Sequence, residues 1–403
     1  MTLSALGEKL DRGIRRLNQW ADRQPTGLRR ACAMLIDLPL RVVRHLWRNR
    51  RYLTLYKLMN IVVVNVEYLL RRETLVGLPY DIKIEPTNVC NSACRLCPTG
   101  MALHGREKGR MPFERFTTII AQIRRHAYAL DLSNWGDPLT APDIYRMIRC
   151  AHEAGMWTYI SSNLHAFSAE NGDAKKLVES GLDMLNCSLH AATQKTYEIY
   201  QPDKTLATTL NKIRAIIDAK KRLNRRRPEI RLFFVVTRYN EHEIDAFQAL
   251  ADDLGCEAMF VPASLNLRFV GRGTHLEDLQ WPEDQKARRV AEMKEQWLPR
   301  DEKWIAPWYR NGSPCLSPGR QPQSPKLFAC DWPWQGTVIN WDGAVTACCG
   351  VFSPQWQLGN VFQEPLKRIW NNREYRAARR SFRRGGSVSA AGLPCRNCIG
   401  VMT

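Results

Sequence analysis

The sequence predicts an α/β protein whose central region forms a parallel barrel or partial barrel. Six short β-like runs alternate with helical stretches over residues 81–262, and this alternation is typical of parallel sheets covered by helices. The runs read DIKIEP, ALDLSN, WTYIS, DMLNCSL, IRLFFVVT and EAMFVP. In such folds the chemistry gathers at the carboxyl ends of the strands. The composition, 44% hydrophobic and 25% charged over 403 residues, excludes a disordered or collagen-like chain.

Residues 1–79 are predicted to form a basic, amphipathic helical extension. Apolar residues recur at helical spacing up to Leu17, and residues 1–80 carry 15 Lys and Arg against 6 Asp and Glu. A more apolar run follows at 52–70, but its polar residues make it a poor transmembrane span. They are Lys57, Asn60, Asn65 and Glu67. Two interpretations stay open: an anchor lying on an anionic bilayer, or a helical cap packed on the next domain.

The formal charge of +19 predicts an anionic partner, such as a membrane face, an acidic substrate or a nucleic acid. Nucleic acid is the least expected of these, because no RNA-binding module is recognisable. The 13 cysteines are odd in number, which argues against a disulfide scaffold. Charge interrupts the first twenty residues before an apolar signal segment can form. We therefore expect a cytoplasmic location, peripheral on the inner membrane face under the anchor interpretation, and cysteines that bind metal.

The C-terminal third divides into a linker and a small cysteine-bearing module. Residues 266–329 are rich in Pro, Gly, Trp and charge, and we interpret them as a linker with a helix near 282–297. Residues 330–403 begin with a hairpin pattern whose turn is Asp342-Gly343. A short helix near 364–382 and a tail with two further cysteines complete the predicted module.

The strongest chemical signal is the segment EPTNVCNSACRLCPTG, which follows the first β-like run and contains Cys90, Cys94 and Cys97. Three thiolates on one loop can hold a [4Fe–4S] cluster and leave its fourth iron without a protein ligand. That iron is then free to bind a substrate or cofactor. The alternative is a zinc knuckle with a remote fourth ligand, because structural zinc sites normally have four.

The CxxxCxxC spacing on the loop after the first strand resembles the radical S-adenosylmethionine (SAM) superfamily. The resemblance covers roughly residues 80–265 and implies a partial (β/α)6 TIM-like barrel. It also implies that the amino and carboxylate groups of SAM chelate the open iron. One electron, delivered by a reductant such as flavodoxin or ferredoxin, would then cleave SAM to a 5′-deoxyadenosyl radical. That radical removes hydrogen from an unactivated carbon of the substrate.

The same resemblance points to SAM-binding residues on the later loops. LSNWGDPLT resembles the family's Gly-Gly-Glu-Pro segment, although Trp replaces the first Gly and Asp replaces Glu. YISSNLH resembles the third-strand Thr-Asn-Gly segment, and LNCSLH resembles the fourth-strand segment. A bulky residue beside the last cysteine of the motif is expected near adenine. The implied contacts are Leu96, Trp135, Gly136, Asp137, Ser162, Asn163 and Ser188.

Residues 328–403 resemble a second kind of module, the SPASM/twitch class that binds auxiliary clusters. Gly343 precedes a cysteine by five positions, and a CRNC pair lies near the end of the chain. The resemblance implies one auxiliary [4Fe–4S] cluster, hence two clusters in all, with four thiolate ligands: Cys330, Cys348, Cys395 and Cys398. Cys349 is an alternative to Cys348. A zinc ribbon held by the same cysteines is the alternative to a cluster.

The sequence names no catalytic side chain and leaves the reaction open, as an oxidation or the formation of a C–C or C–X bond. A membrane-associated lipid or lipid-linked sugar fits the basic extension best, so we take it as the first hypothesis. A ribosomal peptide fits the SPASM-like module and is the alternative. The non-enzymatic hypothesis is a zinc-binding adaptor for an anionic surface. The auxiliary cluster would accept an electron or position substrate, and His104 and His190 are expected to be structural.

Overall fold

The structure is a computed structural model that describes residues 48–102, 105–263, 265, 269–271, 274–275, 282–305 and 330–382. The chain divides into two compact units, Met1–Leu58 and Met59–Thr403. In the described part of the first unit, the guanidinium of Arg51 lies over the ring of Tyr52, 4.6 Å from its centroid. Most of the predicted extension, residues 1–47, lies outside the described residues.

Six parallel strands form the predicted barrel, and each pairs with the next one along the chain. All six β-like runs of the sequence therefore become strands, and the predicted α/β fold with a partial barrel is confirmed. The sheet does not close between its first and sixth strands. The strands are β1 (Asp81–Ile84), β2 (Ala129–Asp131), β3 (Trp157–Ser162), β4 (Met184–Ser188), β5 (Glu229–Val236) and β6 (Glu257–Pro262).

Amphipathic helices cover the outer face of this sheet. In the helix Phe113–Ile123, the residues Phe116, Ile119, Ile120 and Ile123 recur every three or four positions and are all buried. They join Ile82 and Ile84 of β1 in one hydrophobic core. The helices up to β6 are α1 (Leu55–Leu69), α2 (Phe113–Ile123), α3 (Ile144–Glu153), α4 (Asp173–Glu179), α5 (Gln194–Tyr200), α6 (Leu206–Arg222) and α7 (Ile244–Asp253). Short 3-10 turns lie at Arg50–Tyr52, Pro138–Thr140 and Glu241–Glu243.

The region after β6 contains regular elements within the predicted linker. Two short strands, β7 (Phe269–Gly271) and β8 (Thr274–His275), pair antiparallel. The expected helix near 282–297 is α8 (Glu283–Trp297), followed by a 3-10 turn at Glu302–Trp304. The inner side of α8 packs with the cysteine loop and the end of the barrel through one hydrophobic cluster. Its buried members are Leu96, Ala263, Leu265, Val290, Met293, Trp297 and Leu298.

The C-terminal elements extend the barrel sheet beyond β1. β9 (Gly336–Ile339) pairs parallel with β1, and β10 (Ala344–Thr346) and β11 (Gly359–Asn360) continue antiparallel. The predicted turn is confirmed, and Gly343 adopts the left-handed φ of +84° that such turns favour. Where the sequence suggested one helix near 364–382 there are two, because the side chain of Asn372 caps a new start. The helices are α9 (Trp332–Gln335), α10 (Leu366–Ile369) and α11 (Arg373–Arg380), with a 3-10 turn at Pro354–Trp356.

Strand alternation places a row of polar side chains inside the barrel. Ile82 and Ile84 of β1 point outward into the core, so Asp81 and Lys83 between them point to the opposite face. The same alternation and the strand register bring further residues to this inner face. They are Asp131 on β2, Tyr159 and Ser161 on β3, Asn186 on β4 and Arg231 on β5.

Candidate active site at the carboxyl ends of the barrel strands

The three predicted cluster ligands lie on the loop between β1 and α2, at the carboxyl end of β1. Backbone hydrogen bonds coil this loop tightly: Cys97 N–H donates to Cys94 O at 3.2 Å, and Met101 N–H to Cys97 O at 2.8 Å. Gly100 lies so close to Cys94 that an added Cβ would come within 2.4 Å of its carbonyl oxygen. The loop is therefore folded around its cysteines, and only glycine fits at position 100.

The cysteine loop buries its three thiols. Burial raises the pKa of Cys90 to about 11 and that of Cys94 to about 12, and burial also raises the pKa of Cys97. Uncoordinated, these thiols stay protonated at neutral pH, whereas a metal ligand must be a thiolate. In the part of the chain that the structure describes, no three His, Cys, Asp or Glu side chains converge on a single-ion site. The donor set fits a cluster, whose cysteines bind different irons.

The predicted SAM-binding residues of the second and third strand loops come together at one buried carboxylate. Asp137 accepts hydrogen bonds from Ser162 Oγ at 2.9 and 3.0 Å and from the Asn163 N–H at 2.8 Å. The adjacent Gly136 touches the cysteine loop, since an added Cβ would lie 2.2 Å from Thr87 O. Asp137 N–H also donates to Val89 O at 3.0 Å. These contacts lock the β2 and β3 loops against the β1 loop.

Asn163 links this carboxylate to the cysteines. Its Nδ2 lies 3.6 Å from Cys90 Sγ and donates to Asn91 Oδ1 at 3.3 Å. Burial raises the pKa of Asp137, while the donors from Asn163 and Ser162 act in the opposite direction. A buried acceptor beside a thiol loop is a suitable partner for a cationic amine. The resemblance assigns Asp137 to the amino group of SAM and Asn163 to its ribose or carboxylate, and both roles stay predictions.

The other predicted contacts are more scattered. The indole of Trp135 turns towards the C-terminal elements, where Nε1 donates to Val351 O at 3.2 Å and the ring meets Phe352 edge-on. Leu96 is buried in the cluster with α8. Ser188 ends β4 on the inner face, and its carbonyl accepts from Gln201 Nε2 at 2.9 Å. Their roles toward SAM stay predictions.

A buried ion pair that the sequence analysis missed ties these loops together. Glu85, fully buried at the end of β1, accepts a bidentate pair of hydrogen bonds from Arg106 at 3.1 and 2.5 Å. It also accepts from the Trp135 N–H at 3.2 Å and the Trp341 N–H at 3.4 Å. One carboxylate therefore joins the cysteine loop, the β2 loop and the β9–β10 turn. In the sequence, Glu85 stands out only as the third charged residue at alternating positions, after Asp81 and Lys83.

The inner face of the barrel below these loops is strongly polar. Lys83 Nζ forms an ion pair with Asp131, which also accepts hydrogen bonds from Ser133 and Tyr159. Burial lowers the pKa of Lys83, but the combined effect of Asp131, Cys349 and Asp81 raises it, so the net direction is upward. Asn186 donates to Ser161 Oγ at 3.2 Å. Its Oδ1 is buried without a hydrogen-bond partner among the described residues, which marks an acceptor aimed at the barrel interior.

Two family models match separate parts of the chain. The Radical SAM superfamily model matches residues 84–250, and the SPASM model, an iron-sulfur cluster-binding domain, matches residues 330–399. The chain combines a radical SAM domain with a SPASM domain. The first match covers the cysteine loop, Asp137 and Asn163, and the second begins at Cys330. The family resemblance expected from the motifs is confirmed.

Two curated relatives are similar to parts of this chain. A PqqA peptide cyclase from Ruegeria pomeroyi is 31% identical over 125 residues, which are 30% of this chain and 32% of the relative. A probable GTP 3′,8-cyclase from Saccharolobus islandicus is 25% identical over 197 residues, 48% of this chain and 58% of the relative. The chain thus spans between a third and three fifths of these relatives.

Solved structures with the same fold include SuiB of Streptococcus suis. SuiB bound to S-adenosylmethionine is similar over 79% of this chain and 71% of its own, with a TM-score of 0.54 and 16% identity. SuiB bound to its precursor peptide SuiA has the same TM-score at 14% identity over 79% and 70% of the two chains. The enzyme anSMEcpe with bound AdoMet and a peptide reaches a TM-score of 0.51 at 14% identity over 76% and 84%. At these identities the likeness establishes the fold alone.

The two domains confirm the predictions of an enzyme and of its cofactors, SAM and [4Fe–4S] clusters, while the binding residues stay predictions. Within the SPASM domain, Cys330 is buried and Cys348 is partly exposed. The other two predicted ligands, Cys395 and Cys398, lie outside the described residues. Burial raises the pKa of Cys349, whereas Lys83 lowers it, so this thiol lies beside the inner face of the barrel. Cys348 as the cluster ligand, with Cys349 as its alternative, stays a prediction.

The histidine prediction can be tested at one of its two positions. His190 is buried, its Nδ1 accepts from the Val235 N–H at 3.1 Å, and burial lowers its pKa to about 3. A neutral imidazole that accepts a backbone hydrogen bond is structural, as expected. His104 lies outside the described residues.

Proposed function

We propose that the chain is a radical SAM enzyme that modifies a ribosomally made peptide. The proposal rests mainly on the relative named PqqA peptide cyclase, and the SuiB structure with its bound precursor peptide agrees with it in fold. The alternative hypothesis of the sequence analysis therefore replaces the first one. A lipid or lipid-linked sugar as substrate receives no support from the relatives.

The chain's own residues have distinct tasks in this proposal. Cys90, Cys94 and Cys97 would hold the cluster. Asp137 would orient the amino group of SAM, and Asn163 would contact its ribose or carboxylate. When bound, the reduced cluster and SAM supply a 5′-deoxyadenosyl radical that removes hydrogen from an unactivated carbon. The packed loops around Glu85 exclude water from that position.

The polar inner face of the barrel supports a peptide over a lipid substrate. Lys83 and Asp131 offer both charges, and the free acceptor of Asn186 suits a backbone N–H. An acyl chain would leave the Asn186 acceptor buried without a partner, which costs free energy. A peptide backbone satisfies donors and acceptors at once, so its amides match this surface.

In this proposal the SPASM domain is the route to net oxidation. Four thiolates, Cys330, Cys348, Cys395 and Cys398, would occupy every iron of an auxiliary cluster and leave none for direct substrate ligation. Acceptance of the electron from the substrate radical is then the better role for this domain. The first electron would come from a reductant such as flavodoxin or ferredoxin.

The experiment uses synthetic copies of the short open reading frames found on sequencing the DNA that flanks this gene. The holoenzyme is reconstituted anaerobically and incubated with SAM, dithionite and each synthetic peptide. We expect one peptide to raise 5′-deoxyadenosine above its peptide-free level and to emerge lighter by two hydrogens. Deuterium at the attacked carbon should appear in 5′-deoxyadenosine.

Two results would contradict the proposal in different ways. A colourless, iron-free protein that binds zinc after anaerobic reconstitution would favour the adaptor hypothesis. A brown protein that cleaves SAM, ignores every peptide and transfers deuterium from a lipid or nucleotide would retain the radical chemistry but overturn the substrate class.

A further inference from the structure

The helix α1 exposes apolar side chains where a surface helix normally exposes polar ones. From Met59 to its end and into the next residue, every exposed position is apolar, with Val62 55%, Leu69 74% and Leu70 64% exposed. Val63 and Val66 lie on the same side, and Val76 is 79% exposed just beyond the helix. Single exposed apolar residues are ordinary, but a continuous set of this kind marks an interaction surface.

The polar residues of this helix face the protein instead. Asn60 forms two hydrogen bonds with the backbone of Leu78, at 2.8 and 2.9 Å. Glu67 is buried and accepts from the N–H groups of Val76 at 2.7 Å and Gly77 at 3.1 Å. The polar side is thus the side that attaches the helix to the barrel.

Asn65 completes this attachment in the middle of the helix. Its Nδ2 donates to Tyr80 OH at 3.3 Å, and its Oδ1 accepts from Gln335 Nε2 at 3.1 Å. Rotating the helix to bury its apolar side would break all of these bonds and expose Val64, which packs in the core. The outward direction of the apolar side is therefore fixed by specific bonds.

We propose that the apolar face of α1, formed by Met59, Val62, Val63, Val66, Leu69 and Leu70, lies in the headgroup region of an anionic lipid bilayer. Charge argues for this partner, because residues 1–54 carry 12 Lys and Arg against 4 Asp and Glu. Arg72 is exposed at the other end of the helix. Basic residues flanking an apolar face are the pattern of interfacial membrane binding.

The geometry specifies a helix that lies on the bilayer and does not cross it. A helix of 15 residues is about 22 Å long, shorter than the hydrocarbon core. Its polar side is held by the barrel from Asn60 to Glu67. Among the described residues, no helix is long and apolar enough to span a membrane.

The same charges argue against a second copy of this chain on the face. A symmetric dimer through α1 would join two chains that each carry a net charge of +19, which is electrostatically unfavourable. The anionic bilayer is favoured because its charge is opposite. The membrane location is separate from the radical chemistry, so it can be measured without SAM or substrate.

The test is flotation of the holoenzyme with vesicles of phosphatidylcholine and phosphatidylglycerol, beside vesicles of phosphatidylcholine alone. We expect binding to the anionic vesicles that weakens with salt, and a loss of about tenfold or more in the V62E/V66E variant. Both residues are exposed, so the variant should fold. K221E on α6 changes the net charge by the same amount at an exposed site and should still bind.

Size-exclusion chromatography with light scattering runs alongside. Wild-type protein that does not bind anionic vesicles would overturn the proposal. A dimer that V62E/V66E dissociates would then identify a second copy as the occupant of the face. A monomer would point to the chain's own N-terminal segment. Equal loss in K221E and V62E/V66E would also overturn it, because charge alone would then explain binding. Unchanged iron content and circular dichroism in both variants confirm that folding is intact.

Discussion

Replacing Glu85 by alanine should destabilise the protein by about 3–5 kcal/mol and greatly reduce its iron content. The side chain of Arg106 is only 5% exposed and pairs with Glu85 through two hydrogen bonds. Removing the carboxylate leaves that guanidinium buried without its counter-ion. It also frees the N–H groups of Trp135 and Trp341, so the loops around the cysteines lose their common anchor.

The measurement is denaturant unfolding together with iron analysis after anaerobic reconstitution. The matched control is Asp143→Ala, which removes an ion pair with Arg146 on the surface, where a pair contributes about 0–1 kcal/mol. The double variant E85L/R106L should be less destabilised than E85A, because it leaves no unpaired charge. Equal effects of E85A and D143A would show that Glu85 does not hold the loops together.

Asp131→Asn should uncouple SAM cleavage from peptide modification. We expect product to fall by about 10²-fold because substrate positioning is lost, while peptide-free 5′-deoxyadenosine stays within about twofold. The carboxylate pairs with Lys83 and holds Ser133 and Tyr159 on the inner face, away from the cysteine loop. The change therefore alters the substrate surface and leaves the SAM-binding residues in place.

Two further variants test whether the loss of product in D131N reflects a folding defect. K83Q/D131N removes both charges of the pair together and should reproduce the loss of product. Glu257→Gln breaks the pair with Arg231 on the edge strand, where Glu257 is 65% exposed, and should act as wild type. Full product formation by K83Q/D131N would contradict a substrate role for this pair.

Much of the site followed from the sequence because its residues occur in ordered motifs. The cysteine spacing placed the cluster loop, and the polar residues after the second and third β-like runs placed Asp137, Ser162 and Asn163 at one edge of the sheet. Parallel strands have their carboxyl ends at the same edge of the sheet. Residues that follow consecutive strands in the sequence are therefore neighbours in the structure. The hairpin at Gly343 was predicted for a comparable reason, since its turn chemistry is local.

The remaining features depend on partners that are distant in the chain. Glu85 and Arg106 are 21 positions apart, and no spacing rule links them. In α1, Asn60, Asn65 and Glu67 looked like defects in an apolar run, yet they attach the helix to the barrel. Periodicity reveals the apolar stripe of a helix but not which side packs on the barrel. In α1 that side is decided by hydrogen-bond partners such as Leu78 and Gln335. The outward apolar face therefore emerged only from the structure.

The central claim is that Cys90, Cys94 and Cys97 hold the cluster that cleaves SAM. Its most direct test is the yield of 5′-deoxyadenosine from the C90A/C94A/C97A variant, reconstituted anaerobically and reduced with dithionite. We predict about eight irons per wild-type chain, about four in the variant, and no 5′-deoxyadenosine from the variant. The retained irons and an unchanged circular dichroism spectrum would show that the SPASM domain is intact. A variant that still forms 5′-deoxyadenosine at the wild-type rate would contradict the claim.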